Sequence, residues 1–254
     1  MPNLKSSILV VAVIVAALNA VAFDPETPSE AIPSADGEIV IHPIDHATFV
    51  MVWNETTIYV DPVGGAERFT DFESPDLILI THIHGDHTSG ETVSAVSSES
   101  TLIVAPTTVA EKLGAGIAGE TAIVANGESL DHAGIRIEAI PAYNLTEDRL
   151  GFHPKERGDN AYVITIAGTR ILVSGDTEDT PEMRALENID AAFVCMNLPY
   201  TMTVEQAADA VLEFAPRVVY PYHYRGKGGM SDLEAFKTIV AANPEIDVRF
   251  LTWY

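Results

Sequence analysis

Leu77-Ile78-Leu79-Ile80-Thr81-His82-Ile83-His84-Gly85-Asp86-His87 carries the decision about this chain. Four consecutive apolar residues after Ser74-Pro75 describe a strand buried on both faces, and polar chemistry begins where it ends. Three imidazoles and a carboxylate then fall within six residues. Neutral imidazole nitrogen and carboxylate oxygen are the donors that zinc and similar divalent ions accept at about 2.0–2.2 Å. His82 and His84, two apart in extended backbone, point to one side, while a turn at Gly85 redirects Asp86 and His87 to a second position. The stretch therefore suits one or two divalent ions at the end of a buried strand.

Outward from this point, strands and helices alternate. Ile39–Ile41, Ala47–Trp53 and Thr57–Val60 are rich in β-branched and aromatic residues, and the last two form a hairpin around Asn54-Glu55. Leu102–Ala105, Thr121–Ala125 and Ile135–Ile140 read as further strands, with a short helix over Thr107–Leu113. Ala161–Ile166 and Arg170–Val173 make a hairpin through Gly168. The second half alternates helix Pro181–Glu187, strand Ala191–Val194, helix Val204–Phe214, strand Arg217–Tyr220, helix Ser231–Ala242 and strand Ile246–Phe250. Ser231 and Glu234 have the spacing of a capping box for the last helix. No internal repeat of 20–50 residues is visible, so the pattern suggests an α/β arrangement of sheets covered by helices.

Composition narrows the chemistry. The chain has 254 residues, 14 Lys plus Arg against 37 Asp plus Glu, and a formal charge of −23. Such a chain lacks the positive footprint that nucleic acid or anionic lipid requires. Its single cysteine, Cys195, lies in the apolar strand Ala191–Met196 and reads as core. Any metal must therefore be held by His and carboxylate. At the N-terminus, Lys5 precedes an apolar run from Ile8 to Ala22 that ends Ala20-Val21-Ala22, the pattern of a secretory signal. The run is short of the roughly 20 residues of a spanning helix, and a membrane association would need it retained as an anchor. Asp24–Gly37, with Pro25, Pro28 and Pro33, reads as a solvated linker. The expected organisation is a signal over 1–22, a linker over 23–37 and one domain over 38–254. A strongly acidic domain of this kind suits a secreted or extracytoplasmic protein, with high salt as one such setting.

The motif His82-x-His84-x-Asp86-His87 resembles the signature of the metallo-β-lactamase superfamily. Asp61 after Tyr59-Val60, Asp176 in Ser174-Gly175-Asp176-Thr177, and His223 in Tyr220-Pro221-Tyr222-His223 follow in the matching order. His46-Ala47-Thr48-Phe49, Pro141-Ala142-Tyr143-Asn144 and Tyr200-Thr201-Met202-Thr203 are similar to a lactonase-like branch that includes ascorbate-phosphate-lactonase-like hydrolases.

The resemblance implies a four-layer αβ/βα sandwich with a two-metal site at one edge of its sheets. It implies His82 and His84 on a first ion, Asp86, His87 and His223 on a second, Asp176 bridging them, and Asp61 orienting an imidazole. The implied cofactor is one or two Zn2+ ions, with Mn2+ or Fe2+ as alternatives. Two ions sharing a water lower its pKa from about 15.7 towards about 7, which makes hydroxide available for hydrolysis. Asp86 is then a proton shuttle to the leaving group, and His46 lines the site as a further catalytic candidate.

One station departs from the pattern. The superfamily usually supplies a third His to the first metal, and Asn144 stands where it would fall. His153 is the replacement candidate; otherwise the first metal keeps an open position or the enzyme uses a single ion. His132, between two strands, reads as a turn residue. Among the scarce cations, Arg149, Lys155, Arg157, Arg225 and Lys227 flank the site motifs. Arg225 and Lys227 are candidates for holding a carboxylate or phosphate of a small-molecule substrate. The competing reading is that these loops pair with Glu147, Asp148, Glu156 and Asp159. A hydrolase of a small ester, lactone or phosphoester is the leading expectation. A phosphodiesterase acting on nucleic acid or phospholipid, or a non-catalytic metal-binding envelope module, are the rivals.

Overall fold

Side-chain alternation shows which face of each strand is inward. Phe49, Met51, Ile58, Val60, Leu77, Leu79, Leu102 and Val104 belong to the main core. Their neighbours Val50, Tyr59, Ile78, Ile80 and Ile103 pack with Val93 and Val109 in a separate outer cluster. A period of two with both faces apolar means a sheet covered on both sides.

The computed structural model describes residues 29–254. Its elements are β1 (Glu30–Pro33), β2 (Glu38–Asp45), β3 (Thr48–Trp53), β4 (Thr56–Val60), β5 (Leu77–Leu79), α1 (Gly90–Val96), β6 (Leu102–Ala105), α2 (Thr107–Leu113) and β7 (Glu120–Ile123). They continue with β8 (Ser129–His132), β9 (Ile135–Ala142), β10 (Asp159–Ile166), β11 (Thr169–Val173), α3 (Pro181–Arg184), β12 (Ala191–Cys195), α4 (Val204–Phe214) and β13 (Val218–Tyr222). The last are β14 (Arg225–Gly226), β15 (Gly229–Met230), α5 (Leu233–Val240) and β16 (Asp247–Val248).

Two seven-stranded sheets have the orders β1-β2-β3-β4-β5-β6-β7 and β16-β13-β12-β11-β10-β9-β8. Each is antiparallel through its first four strands in chain order and parallel thereafter. The inner faces meet at Phe49 and Phe193, whose rings stack at 4.7 Å. α1 and α2 cover the outer face of the first sheet through Val93 and Val109. Ala207, Ala208, Val211 and Phe214 of α4 and Phe236 and Val240 of α5 join the core on the side of the second. This is the four-layer sandwich.

The layering decides where chemistry sits. Asp61, Thr81–His87, Asp176 and His223 follow the carboxyl ends of β4, β5, β11 and β13, all strands in the parallel parts of the sheets. In such sheets the crevice beyond the carboxyl ends collects ligand-binding groups. The two sheets are tied together there, because Tyr162 Oη donates to Ile80 O at 2.9 Å and Asn160 N donates to Thr81 O at 3.0 Å.

Several expectations shift. The 1–22 signal lies outside the described residues. The linker reading fails over Glu30–Pro33, which pairs with Glu38–Ile41 as an edge strand and buries Ile32. A Pro-rich composition averaged over the segment hides a four-residue strand whose proline stands at its end. Ser129–His132 is a strand paired with β9, so His132 is an edge-strand residue and not a turn. The capping box expected at Ser231 does not form. Asp232 caps α5 by accepting from Ala235 N, and the Ser231 hydroxyl donates to Met196 O. Among the described residues, no helix is long and apolar enough to cross a membrane.

Candidate metal centre

β5 delivers Thr81 and His82 to the crevice, and the backbone then turns tightly, with His87 N and Thr88 N both donating to His84 O. The turn brings the His84 and His87 rings to 4.7 and 4.0 Å from that of His82. Asp61 sets this segment from beneath. Its carboxylate accepts from Thr81 N and Thr81 Oγ1, each at 2.7 Å, and lies 2.7 Å from His87 Nδ1. That contact fixes the His87 ring and turns Nε2 inward, toward Asp176 Oδ1 at 3.4 Å.

Asp176 reaches the centre through Gly175, whose φ is +58°. A Cβ there would lie 3.0 Å from Asn160 O and from Thr81 Cβ, so this approach of β11 to the β5 end requires glycine. The Asp176 carboxylate is nearly surrounded by imidazoles. His87 Nε2 and His223 Nε2 stand 3.4 and 3.3 Å from Oδ1, and His153 Nε2 stands 3.4 Å from Oδ2. His223 also faces Asp86 Oδ2 at 3.6 Å.

Three overlapping donor groups result: His82, His84 and His153; His82, His87 and Asp176; and Asp86, His87 and His223, with ligand atoms inside each group within 4.8 Å of one another. His153 comes to the first group from the loop after β9, and His82 Nε2 lies 3.1 Å from His84 Nδ1 within it. Asn144 does not take that place. It is buried beside it, donating from its backbone to His153 O at 2.8 Å and from Nδ2 to Tyr200 O at 2.7 Å. His132 stands apart on β8.

Donor chemistry and satisfaction agree on what the cluster fits. His87 Nε2, His153 Nε2 and Asp176 Oδ1 are buried without a hydrogen-bond partner, and each of these residues belongs to at least one of the donor groups. Buried polar atoms are rarely left so, and cations held by the donor groups to which these atoms belong would satisfy them. Burial, with His87, His153 and His84 adding to it, holds His82 well below the usual imidazole range. Burial, His153 and Arg157 bring His84 down to about 4. Burial works against protonation of His87 too, yet the Asp176 and Asp61 carboxylates override it and raise His87 well above the usual range. Asp176 is held well below the carboxylate range by His223 and His87 against its own burial.

The centre opens into a cleft of about 530 Å³ lined by His46, Asp86, Phe152, Tyr200, Arg225 and Lys227, among others. His46, His223 and Asp61 all have positive φ, at 53°, 44° and 45°. Non-glycine residues adopt that backbone at some cost, and such positions gather at functional sites. His46 lies on the cleft wall outside the three donor groups. Its Nδ1 is 2.9 Å from Tyr254 Oη and its Nε2 is 3.0 Å from Arg225 Nη2.

The five flanking cations sort into two sets. Arg149 pairs with Glu178, Lys155 with Glu182 and Arg157 with Asp159. Among the described residues Arg225 and Lys227 have no carboxylate partner, and both line the cleft. Sequence reasoning missed Asn197, whose Nδ2 lies 3.1 Å from His223 Nε2 and 3.5 Å from Asp176 Oδ2. It also missed Tyr254, whose hydroxyl meets His46; neither residue carries a motif, and only the tertiary packing reveals them.

Known proteins share this architecture. Residues 40–223 match the model of the β-lactamase superfamily domain. The chain belongs to that superfamily. A UPF0173 metal-dependent hydrolase of Thermococcus onnurineus is 33% identical over 215 residues, covering 80% of this chain and 92% of the relative. The crystal structure of a protein from Parabacteroides distasonis named as a metal-dependent hydrolase superposes with a TM-score of 0.79 at 38% identity, over 88% of this chain and 98% of that one. Igni18, a metallo hydrolase from Ignicoccus hospitalis, shares the fold at a TM-score of 0.70 and 22% identity, over 84% and 94% of the two chains. This member of the β-lactamase superfamily is a metal-dependent hydrolase with a His-rich candidate metal site.

Proposed function

We propose that this superfamily member is an exported hydrolase of a small anionic ester, lactone or phosphoester. The observation that carries the substrate charge is the pair Arg225 and Lys227, cations on the cleft wall with no carboxylate partner among the described residues of a chain with 37 acids. A chain so acidic keeps cations mainly where they have partners, and these two face the cleft instead. The export reading rests on the apolar run Ile8–Ala22 and its Ala20-Val21-Ala22 end. The similarity of the His46 and Tyr143-Asn144 segments to lactonase-like hydrolases favours a lactone or ester among these substrates.

In this reading His82, His84 and His153 would hold one ion and Asp86, His87 and His223 a second, with the Asp176 carboxylate, which faces His87, His153 and His223, as a further ligand. Zn2+ is the ion proposed, and Mn2+ and Fe2+ suit the same nitrogen and oxygen donors. Bound divalent ions supply Lewis acidity there, lowering the pKa of water to about 7 and polarising a carbonyl or phosphoryl oxygen. The protein supplies position and proton transfer. Arg225, laid over the Tyr254 ring at 4.3 Å and braced by His46, presents a guanidinium fixed in direction to the substrate anion. Both His46 nitrogens are engaged, so its role is to orient Arg225 and not to act as a free base. Asp86, whose side chain is 46% exposed, is the donor-group carboxylate that reaches open cleft and passes the proton to the leaving group.

The test is hydrolysis of matched anionic and neutral esters, lactones and phosphoesters by protein loaded separately with Zn2+, Mn2+ or Fe2+. R225E combined with K227E should raise KM for the anionic member of each pair at least about tenfold and leave the neutral member unchanged. An unchanged KM for every anionic substrate refutes the anion reading. Stoichiometric metal with no turnover on any substrate makes the chain a metal-binding module.

A further inference from the structure

Exposed apolar side chains on this acidic molecule are unevenly placed. Among the described residues six large hydrophobic side chains are exposed, and four of them are 40–54% exposed on segments that also contribute lining residues to the cleft: Leu145 and Leu150 after β9, Leu198 after β12, and Met230 on the β14–β15 hairpin. These are the loops that supply Phe152 and His153, Asn197 and Tyr200, and Arg225, Gly226 and Lys227 to its lining.

The loops form one continuous rim. Phe152 and Tyr200 meet edge to face at 5.1 Å, and Asn144 Nδ2 ties the first loop to the second at Tyr200 O. Lys227 N donates to Leu198 O at 3.0 Å, and a Cβ on Gly226 would lie 1.8 Å from that carbonyl, so the second and third loops touch backbone to backbone. Met230 is the direct cross-strand partner of Arg225, and directly opposed residues share a face of their ribbon. Met230 thus shares a face with Arg225, Leu198 is joined to Lys227 backbone to backbone, and the Phe152 and Tyr200 rings line the cleft itself.

We infer that the rim binds an alkyl or aryl group of the substrate, so that the molecule turned over is an amphiphile with its anionic head at Arg225 and Lys227. The inference rests on the proposed hydrolytic reading for the word substrate, but the binding it describes does not require turnover. Charge selects this occupant over the others. A chain of net charge −23 is repelled by an anionic lipid surface and by a second copy of itself, whereas a small amphiphile meets local cations and apolar surface together. A head group at the cations leaves several carbons to lie along the rim, where apolar contact adds to affinity with each methylene.

The experiment is a titration of the purified, metal-loaded protein with acetate, butanoate, hexanoate and octanoate. Full burial of a methylene is worth about a fourfold gain in affinity, so half-exposed contact predicts about twofold per methylene and on the order of tenfold from butanoate to octanoate. L198S with M230S, and L145S with L150S, should each flatten that rise while leaving the acetate affinity and the fold unchanged. Affinities within twofold across the series, or a rise that survives both double variants, overturns the inference. Light scattering on the same samples identifies the other occupant: a dimer that either double variant dissolves, with a flat series, assigns the rim to a second copy and also overturns it. A rising series in a protein that hydrolyses no anionic ester keeps the amphiphile site and sinks the hydrolytic reading. Turnover without chain-length dependence does the reverse.

Discussion

His153 Nε2 lies 3.4 Å from Asp176 Oδ2, and its ring stands 5.0 and 4.7 Å from those of His82 and His84. A histidine nine residues beyond Asn144 therefore closes the three-imidazole group. H153A should lower kcat/KM by at least about 100-fold, since even residues that only support a ligand cost 10–100-fold. It should also remove close to one metal equivalent by elemental analysis. H132A, on the edge strand β8, should retain full metal content; equal losses in the two variants would contradict the assignment.

Asp61 offers a second, separable test. It is wholly buried, touches His87 Nδ1 and Thr81, and is not in any of the three donor groups. D61N keeps the shape but exchanges an acceptor facing His87 Nδ1 for a group that also donates. Metal affinity measured by competition with a chelator should fall about 10–100-fold while the circular dichroism spectrum is retained. An unchanged affinity would mean that the His87 ring is held by packing alone.

How much of this was readable before folding follows from where each residue sits in the chain. Thr81–His87 announces itself because a buried strand ends in a dense cluster of donors, and Asp176 and His223 each follow an apolar strand directly. His153 was legible only as the nearest histidine to a gap, because the loop after β9 has no periodicity to place it. Asn197, Tyr254 and the bracing of Arg225 by His46 were not legible. They depend on which segments meet in space: the pairing of β12 with β13 within one sheet sets Asn197 beside His223, and His46, after β2 of the other sheet, meets Tyr254 and Arg225. The edge strand Glu30–Pro33 escaped for a different reason: its backbone pairing with β2, and not a hydrophobic pattern, makes it a strand.

The loop that carries His153 is clamped by Glu178, two residues beyond Asp176. Its buried carboxylate accepts from Leu145 N and Thr146 N, each at 2.6 Å, and pairs with Arg149, which also reaches Thr201 O and Gln206 Oε1. R149M leaves that carboxylate without its cation and should destabilise the protein by about 3–5 kcal/mol in urea unfolding, because a buried charge loses its partner. Burial pushes the Glu178 carboxyl up, but the Thr146 and Leu145 amides and Arg149 outweigh it and bring it below the usual range. A depressed folded-state pKa contributes stability that is present above the unfolded value of about 4.5 and lost as pH falls through the folded value. The stability advantage of the wild type over E178Q should therefore hold at pH 6 and shrink below about pH 4.5. A pH-independent difference would show that the clamp does not depend on the charge.

Proton release on metal binding separates the imidazoles by their surroundings. His82 and His84 are held neutral by burial and neighbouring positive groups, so they have no proton to give at pH 6.5. His87 is raised well above the usual range by Asp176 and Asp61 against its burial. His153 is raised by Asp159 and Asp176, again against its burial. A divalent ion needs the lone pair of each, so loading releases protons that these carboxylates hold on His87 and His153. Calorimetric titrations with Zn2+ at pH 6.5, in buffers of different ionisation enthalpy, should report net proton release as the site fills. H87N should lower that release, and H153N should lower it by a smaller amount. Release that is near zero in the wild type, or unchanged in H87N, would place the protons elsewhere and remove His87 and His153 from the set of ligands that the carboxylates hold protonated before metal binds.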